Sequence, residues 1–403
     1  PLYNARGIRG GENQEAAMGV TGRREALKAG MAVAGLGLVG FPDWMLPALA
    51  QDEVLVPFAD MPPALPPGRT PLVRTLDVRT IRAPFTPPNQ FYTIQHYGHP
   101  TVDSATFRLS VGGLVDTPLS LSIADLRAMG ETELVAGFEC SGNRRPLQGL
   151  SSNGRWTGVP LRSVLERAGL KPSVRELVFF GADRGPENVV FRAETITVEQ
   201  QFGRSLDRDK ALSDEPFLAY ALGGEPLTIH QGSPLRLIVP GWYGVSNVKW
   251  LSHIVAQEDE NLGNFQARWY RTLRGEMIDG ELRWVEAAIT AMQLKSFIAR
   301  VSKVGTQHNV LMVALNDGTP LETVEIKIDD GPWQPSTPDP STTSRFSWKL
   351  FNFTWSGATP GEHTLVSRAI DVNGQVQPTS EELANKKTFL EDNSQHPRVV
   401  TVT

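Results

Sequence analysis

A single cysteine, Cys140, in a chain of 403 residues constrains the fold more than any other feature. One thiol cannot close an intramolecular disulfide, so the chain must be held together by its core. Nor can it build a cysteine-rich zinc site, an iron–sulfur centre or a CxxCH haem attachment. Hydrophobic residues make up 40% of the chain and charged ones 21%, which at this length supplies an adequate core without covalent staples. The length calls for more than one domain. The net charge of −5 argues against a nucleic-acid binder, which wants a basic face. Any redox chemistry at the cysteine must pass its electrons to another protein, and this chain is expected to carry no haem.

The surroundings of the cysteine are pointed. The apolar strand Leu134-Val135-Ala136 runs into Glu139-Cys140-Ser141-Gly142-Asn143-Arg144-Arg145. The thiol therefore sits at a strand end, just before a glycine turn. Arg144 and Arg145 are expected to favour thiolate over thiol and to draw an anionic ligand beside it. A thiolate is a soft ligand suited to a redox metal. A small core cysteine needs no such neighbours. The residues leave a nucleophilic thiolate open as well, with His96 or His99 as its base.

Organisation along the chain follows from pattern. Arg23-Arg24 precedes a soft apolar run from Ala29 to Gly40 and the small-x-small site Ala48-Leu49-Ala50. This reads as a twin-arginine signal over 1–50 and periplasmic export; an amphipathic helix retained in the mature protein is the alternative. The apolar run is too short to span a bilayer, so no membrane span is expected. Residues 51–106 are proline-rich, from Pro57 to Pro100, and predict an extended lead-in. Over 107–287 the pattern is mixed and loop-rich. Phe107 to Val111, Leu177 to Phe180 and Leu235 to Val239 read as strands. Ser122 to Arg127 reads as a capped helix, and Leu161 to Ala168 as a helix closed by Gly169. Over 288–403, His308 to Leu315, Val324 to Ile328 and His363 to Ile370 read as strands. Asp330-Gly331, Pro360-Gly361 and Asn373-Gly374 supply turns between them. Trp333, Trp348 and Trp355 are expected to fill the space between two sheets. The fold class is thus α+β, a mixed domain followed by an immunoglobulin-like all-β sandwich.

At this point the motifs resemble a known family. Cys-Ser-Gly-Asn-Arg-Arg is similar to the molybdenum-ligand loop of the sulfite oxidase family of molybdopterin enzymes. Gly232-Ser233-Pro234-Leu235-Arg236 through Pro240-Gly241, Val248-Lys249-Trp250-Leu251, and Gln266 to Tyr270 resemble three further segments of that family, in the same order. The resemblance runs from about Phe91 to the C-terminus. It implies a molybdenum–molybdopterin cofactor with Cys140 as metal ligand. It further implies that Arg145 lines an oxyanion pocket, Tyr270 faces the metal and Trp156 walls the substrate pocket. Arg236 and Lys249 would hold the pterin's phosphate tail with help from the backbone of Ser246, Asn247 and Val248. His96 would contact the pterin, and Asn143 and Arg144 would shape the cysteine loop. The implied activity is oxidation of sulfite or a related sulfur oxyanion to sulfate, with electrons leaving to an external c-type cytochrome. The C-terminal sandwich resembles the family's dimerisation domain, which implies a homodimer.

Two positions depart from the family pattern. Ile94 stands where sulfite-oxidising members usually carry arginine, two residues before His96, and Gln231 stands where many have histidine. A pocket with one cation fewer binds a dianion less tightly. An apolar Ile94 suits a neutral substrate, so reduction of sulfoxides such as methionine sulfoxide with the same cofactor is the alternative. A non-catalytic periplasmic binding protein with a vestigial site is the second alternative.

Overall fold

The computed structural model describes residues 52–62 and 73–403. The expected signal over 1–50 lies outside the described residues, as do the prolines from Pro63 to Pro71. Strands dominate, and the helices are few and short.

The first sheet has the order β5 (Leu119–Leu121), β4 (Leu109–Gly113), β13 (Leu251–Gln257), β8 (Glu176–Phe191), β9 (Glu194–Asp207). Two helices pack on it. In α1 (Ile123–Arg127), Ser122 and Asp125 form the reciprocal capping box that satisfies the orphan N–H groups of the first turn. In α2 (Leu161–Ala168), Leu161, Val164, Leu165 and Ala168 recur at helical spacing and are all buried. Gly169 ends that helix with φ of 69°, a conformation that favours glycine. A third short helix, α3 (Arg208–Leu212), follows β9.

The second sheet runs β11 (Glu225–Pro226), β10 (Phe217–Leu222), β7 (Ser151–Pro160), β6 (Thr132–Glu139), with β12 (Arg236–Ile238) also pairing with β10. β6 delivers Glu139 and then Cys140 to its end. Two small two-stranded sheets complete this half: β2 (Val73–Arg74) with β3 (Thr93–Ile94), and β14 (Arg271–Ile278) with β15 (Glu281–Ala288). A helical turn, α4 (Asn264–Ala267), precedes β14.

The C-terminal part is a sandwich of two antiparallel sheets. One is β1 (Val54–Val56), β16 (Lys295–Val304), β17 (Gln307–Leu315), β21 (Lys349–Trp355), β20 (Thr337–Pro338). The other is β19 (Gln334–Pro335), β18 (Leu321–Ile328), β22 (Gly361–Asp371), β23 (Arg398–Val402). Asn373-Gly374 makes its expected turn, with Gly374 at φ of 79°.

The sandwich is not a separate bead. β17 is buried along almost its whole length, and the two-residue period divides it between two cores. Val310, Met312 and Ala314 face the second sandwich sheet. Leu311, Val313 and Leu315 face the other way, into a core shared with Phe138, Cys140 and Trp156. β16 does the same, with Phe297 and Ala299 on the shared side and Ile298 and Val301 inside the sandwich. The described residues accordingly belong to one compact unit. The lead-in is also less independent than its prolines suggested, because β1 is the edge strand beside β16.

The tryptophans divide differently from expectation. Trp355 lies inside the sandwich. Trp348 lies in the shared core and donates its indole N–H to the Pro84 carbonyl at 2.7 Å. Trp333 is half-buried beneath the Arg368 guanidinium, 4.1 Å from the ring centre. Trp348 precedes the strand Lys349–Trp355, so the strand's two-residue period does not assign its side.

Candidate active site

The cysteine loop is built by a tight turn. Asn143 N–H donates to the Cys140 carbonyl at 2.8 Å, and Cys140 N–H donates to the Leu150 carbonyl at 2.8 Å. The Asn143 side chain is buried and fully engaged. Its amide donates to Glu139 Oε2 at 2.8 Å and the Gln148 carbonyl at 3.1 Å, and its Oδ1 accepts from Leu150 N–H at 3.0 Å. Asn143 therefore shapes the loop through hydrogen bonds.

The two arginines do not act as expected. Arg144 lies over the Phe389 ring, 5.3 Å from its centre. Arg145 donates to the hydroxyls of Ser380 and Ser394. Both open on a cleft on the outer side of the loop, away from the cavity that Cys140 lines. The turn at 140–143 sends the following side chains outward onto the connection between β22 and β23. The thiol's environment is correspondingly different. Burial pushes Cys140 up to about 11, Gly142 N–H at 3.4 Å from Sγ and the Lys295 ammonium oppose that, and Glu139 adds to it. A thiol so placed becomes a ligand when a cation displaces its proton.

Cys140 faces a cavity that it lines together with Tyr92, Phe138, Arg236 and Lys249. Thr93, Ile94, Gln95 and His96 of the proline-rich lead-in supply part of its wall. Tyr270 O–H and His96 Nε2 lie 2.8 Å apart within it. Burial raises Tyr270 well above the usual phenol range, so its hydroxyl keeps its proton. Burial, reinforced by the Lys249 charge, pushes His96 down to about 4, so its imidazole is neutral at pH 7. The ring is clamped by Phe265, Phe202 and Trp269.

The cavity also holds two cations, Arg236 buried and Lys249 half-buried. Arg236 sits in the fully buried β12 and donates to the carbonyls of Gln231 at 3.0 Å and Asn247 at 3.1 Å. Its Nε has no partner. Lys249 Nζ donates to Gln95 Oε1 at 2.8 Å. Gly232 makes room for Lys249: a Cβ there would lie 2.7 Å from that of the lysine. Among the described residues neither cation forms an ion pair with a carboxylate, and burial pulls Arg236 down to about 10 and Lys249 down to about 7. The Ser246 hydroxyl is buried and unpartnered close by in sequence. Unpaired buried charge of this kind is costly, and an anionic ligand relieves it.

Other expected roles need correction. Trp156 is completely buried, donates to the Ala136 carbonyl at 3.1 Å, and lies under the Arg236 guanidinium rather than in the cavity wall. The N–H groups of Ser246 and Asn247 donate to the carbonyls of Tyr243 and Gly244, so they are already used within their own turn. The Val248 side chain packs in the first sheet's cluster, which bears on its side chain and not on the backbone role expected of it. Sequence reasoning also passed over two residues. Asp183 lines the cavity with an unpartnered buried oxygen, and burial pushes it up to about 6. The β8–β9 pairing is irregular between Phe180 and Arg184, and such a bulge re-aims a side chain. Lys295 is the other: it pairs with Glu139 at 3.1 Å, both nearly inaccessible.

Among the described residues no three His, Cys, Asp or Glu side chains converge as a metal site. A lone thiol, with unpaired cations in the same cavity, fits a metal–pterin group with a phosphate tail.

Comparison with known proteins agrees. Residues 96–265 match the oxidoreductase molybdopterin binding domain. The chain is 26% identical over 325 residues to mitochondrial sulfite oxidase of Rattus norvegicus, covering 73% of this chain and 57% of that protein. It is 26% identical over 340 residues to sulfite oxidase of Arabidopsis thaliana, covering 74% and 83% respectively. The chain is thus similar to sulfite oxidases, and residues 96–265 carry the molybdopterin binding domain. Among solved structures, the sulfane dehydrogenase SoxCD from Paracoccus pantotrophus shares the fold. That match has a TM-score of 0.69 and 24% identity, over 83% of this chain and 88% of that one. The chain thus spans little more than half the length of the rat family member.

Proposed function

We propose that the chain is a molybdenum-dependent oxidoreductase that oxidises sulfite, or a related sulfur oxyanion, to the sulfate level. Sulfite and water yield sulfate, two protons and two electrons. The observation that carries the reading is one cavity holding the lone thiol together with two cations, Arg236 and Lys249, that lack carboxylate partners within ion-pair distance. When bound, the molybdenum–pterin group supplies oxygen transfer and accepts the electron pair.

The chain's own residues do the rest. Cys140 holds the metal. Arg236 and Lys249 would hold the phosphate, and the Asp183 carboxylate would offer a hydrogen-bond acceptor to the pterin. Tyr270 donates its hydroxyl hydrogen, and the neutral His96 ring holds or returns a proton at Nε2. In this reading the electrons leave singly to a separate c-type cytochrome. The compartment is the periplasm, reached by twin-arginine export, and two copies pair through the sandwich. The test is molybdenum analysis of protein made with intact cofactor synthesis, coupled to a sulfite–cytochrome c assay. Substoichiometric metal, or a Cys140→Ser variant that keeps full metal, would refute it.

One observation favours a second reading. Ile94 lines the cavity and Arg145 does not, so the cavity lacks the expected anion-binding arginines. A neutral sulfoxide, reduced by two electrons and two protons to sulfide and water, suits that lining. Turnover of methionine sulfoxide with a reduced electron donor, and none of sulfite, would replace the first reading with the second.

A further inference from the structure

The most deeply buried ion pair next to the cavity has no part in the chemistry above. Glu139 immediately precedes Cys140 on β6, and Lys295 opens β16 in the sandwich, 156 positions further along. Their side chains are 2% and 0% exposed, and they meet at 3.1 Å. The same Glu139 oxygen accepts the Asn143 amide at 2.8 Å, and Lys295 Nζ also reaches the Asn143 carbonyl at 3.5 Å. Asn143 in turn closes the turn on Cys140. The ammonium is thus fixed to both ends of the four-residue turn that presents the sulfur.

The backbone of Lys295 is itself pinned on both sides. Asn393 donates to the Leu294 carbonyl at 3.0 Å, and Gln377 bonds both the N–H and the carbonyl of Ser296. A buried ion pair is a poor means of gaining stability, since apolar residues of similar volume do as well or better. Its place beside the sulfur supplies a better reason. A bare Glu139 carboxylate would repel a neighbouring thiolate, yet that carboxylate is needed to hold Asn143. A cation from the sandwich cancels the charge and leaves the hydrogen bond in place.

We propose that Lys295 is a positioning residue for Cys140: its buried pair with Glu139 fixes the cysteine turn and neutralises the charge beside the ligating sulfur. This rests on the assignment of Cys140 as metal ligand. It makes the sandwich part of the metal site as well as a packing partner.

The test uses molybdenum-loaded protein and two single variants, Lys295→Met and Glu139→Gln. The readouts are metal content, thiolate-to-metal charge-transfer absorption, kcat and KM. Wild type and both variants are read at the same pH. Lys295→Met leaves net negative charge beside the sulfur and should move the band to longer wavelength. Glu139→Gln leaves net positive charge and should move it to shorter wavelength. In both, kcat should fall about tenfold with KM within about twofold, as for loss of an interaction that acts on the reacting centre rather than on substrate binding. A merely structural pair would lower thermal stability in both variants and leave the band where it is. Bands that stay put, or move in the same direction, overturn the proposal. If Lys295→Met does not fold, Glu139→Gln is decisive alone, an unmoved band refuting and a shift to shorter wavelength supporting. Wild-type protein without molybdenum would instead sink the ligand assignment, and is read separately from the variants.

Discussion

Lys249 should destabilise the protein whenever the cofactor is absent, and replacing it tests the charge logic of the cavity. Its ordinary value of 10.5 falls to about 7 through burial, with the Arg236 charge adding to the effect. Between those values the unfolded chain binds more protons than the folded one, so cofactor-free stability rises with pH across that window. Below pH 7 the full penalty applies, about 5 kcal/mol at roughly 1.4 kcal/mol per pKa unit. Lys249→Met keeps the apolar stem and removes the charge, at the loss of the Gln95 hydrogen bond, worth about 1–3 kcal/mol. The cofactor-free variant should therefore gain about 2–4 kcal/mol at pH 6. With an unfolding entropy near 2.1 cal/mol/K per ordered residue, that raises Tm by about 3–6 °C. At pH 9 most of the gain should vanish, because the wild-type lysine is then largely neutral. In loaded protein the order should reverse, since the anion that satisfies Lys249 is held less tightly by the variant. Differential scanning calorimetry at pH 6 and 9, on protein from a host with and without cofactor synthesis, reads all four cases. A variant less stable than wild type at pH 6 without cofactor, or a difference independent of pH, would refute the reasoning.

Three further outcomes follow from the site and the sandwich. Tyr270→Phe removes the 2.8 Å bond to His96, and should lower kcat by about 100-fold while metal content stays at the wild-type level; steady-state rates with metal analysis check it. Ile94→Arg adds a cation to the cavity wall and should lower the KM for sulfite about tenfold if a dianion is the substrate, an effect that salt should weaken; an unchanged KM favours the sulfoxide reading. In the sandwich, the Asp329 side chain holds His363 above its ordinary value, and His363 holds Asp329 below its own. The histidine's contribution is complete below its unfolded value and is lost as pH rises through its raised one. The aspartate's is complete above its unfolded value and is lost as pH falls through its lowered one. The pair should therefore add most between about pH 4 and 6.5, and less than about 1 kcal/mol because it is largely solvent-screened; an NMR titration of His363 that shows an ordinary imidazole value would remove it.

Which parts of this fold and site are legible in the sequence depends on whether the deciding force is local. The capping box at Ser122 and the glycine stop at Gly169 are written in adjacent residues, and the structure has both. The strands of the C-terminal sandwich are legible by their period, and Cys140 by its position after an apolar strand. The fate of each strand's second face is not local. Leu311 and Val313 look like the far side of a free-standing sandwich, yet they pack in the core that holds Cys140. Arg145 and Trp156 are misread for a related reason. Where a side chain points after a tight turn, or which face of β7 looks into a cavity, is set by backbone angles and neighbours that spacing does not encode. One mark does survive in the sequence. Arg236 interrupts Leu235-Arg236-Leu237-Ile238, Asp183 follows Phe179-Phe180-Gly181-Ala182, and Lys295 stands in Leu294-Lys295-Ser296-Phe297. A charge inside an apolar strand is too costly to bury without a partner or a ligand. All three are buried, two of them line the cavity, and the third braces the cysteine turn. Charges that break an apolar run thus mark this site from both ends, and they do so independently of the motif around Cys140.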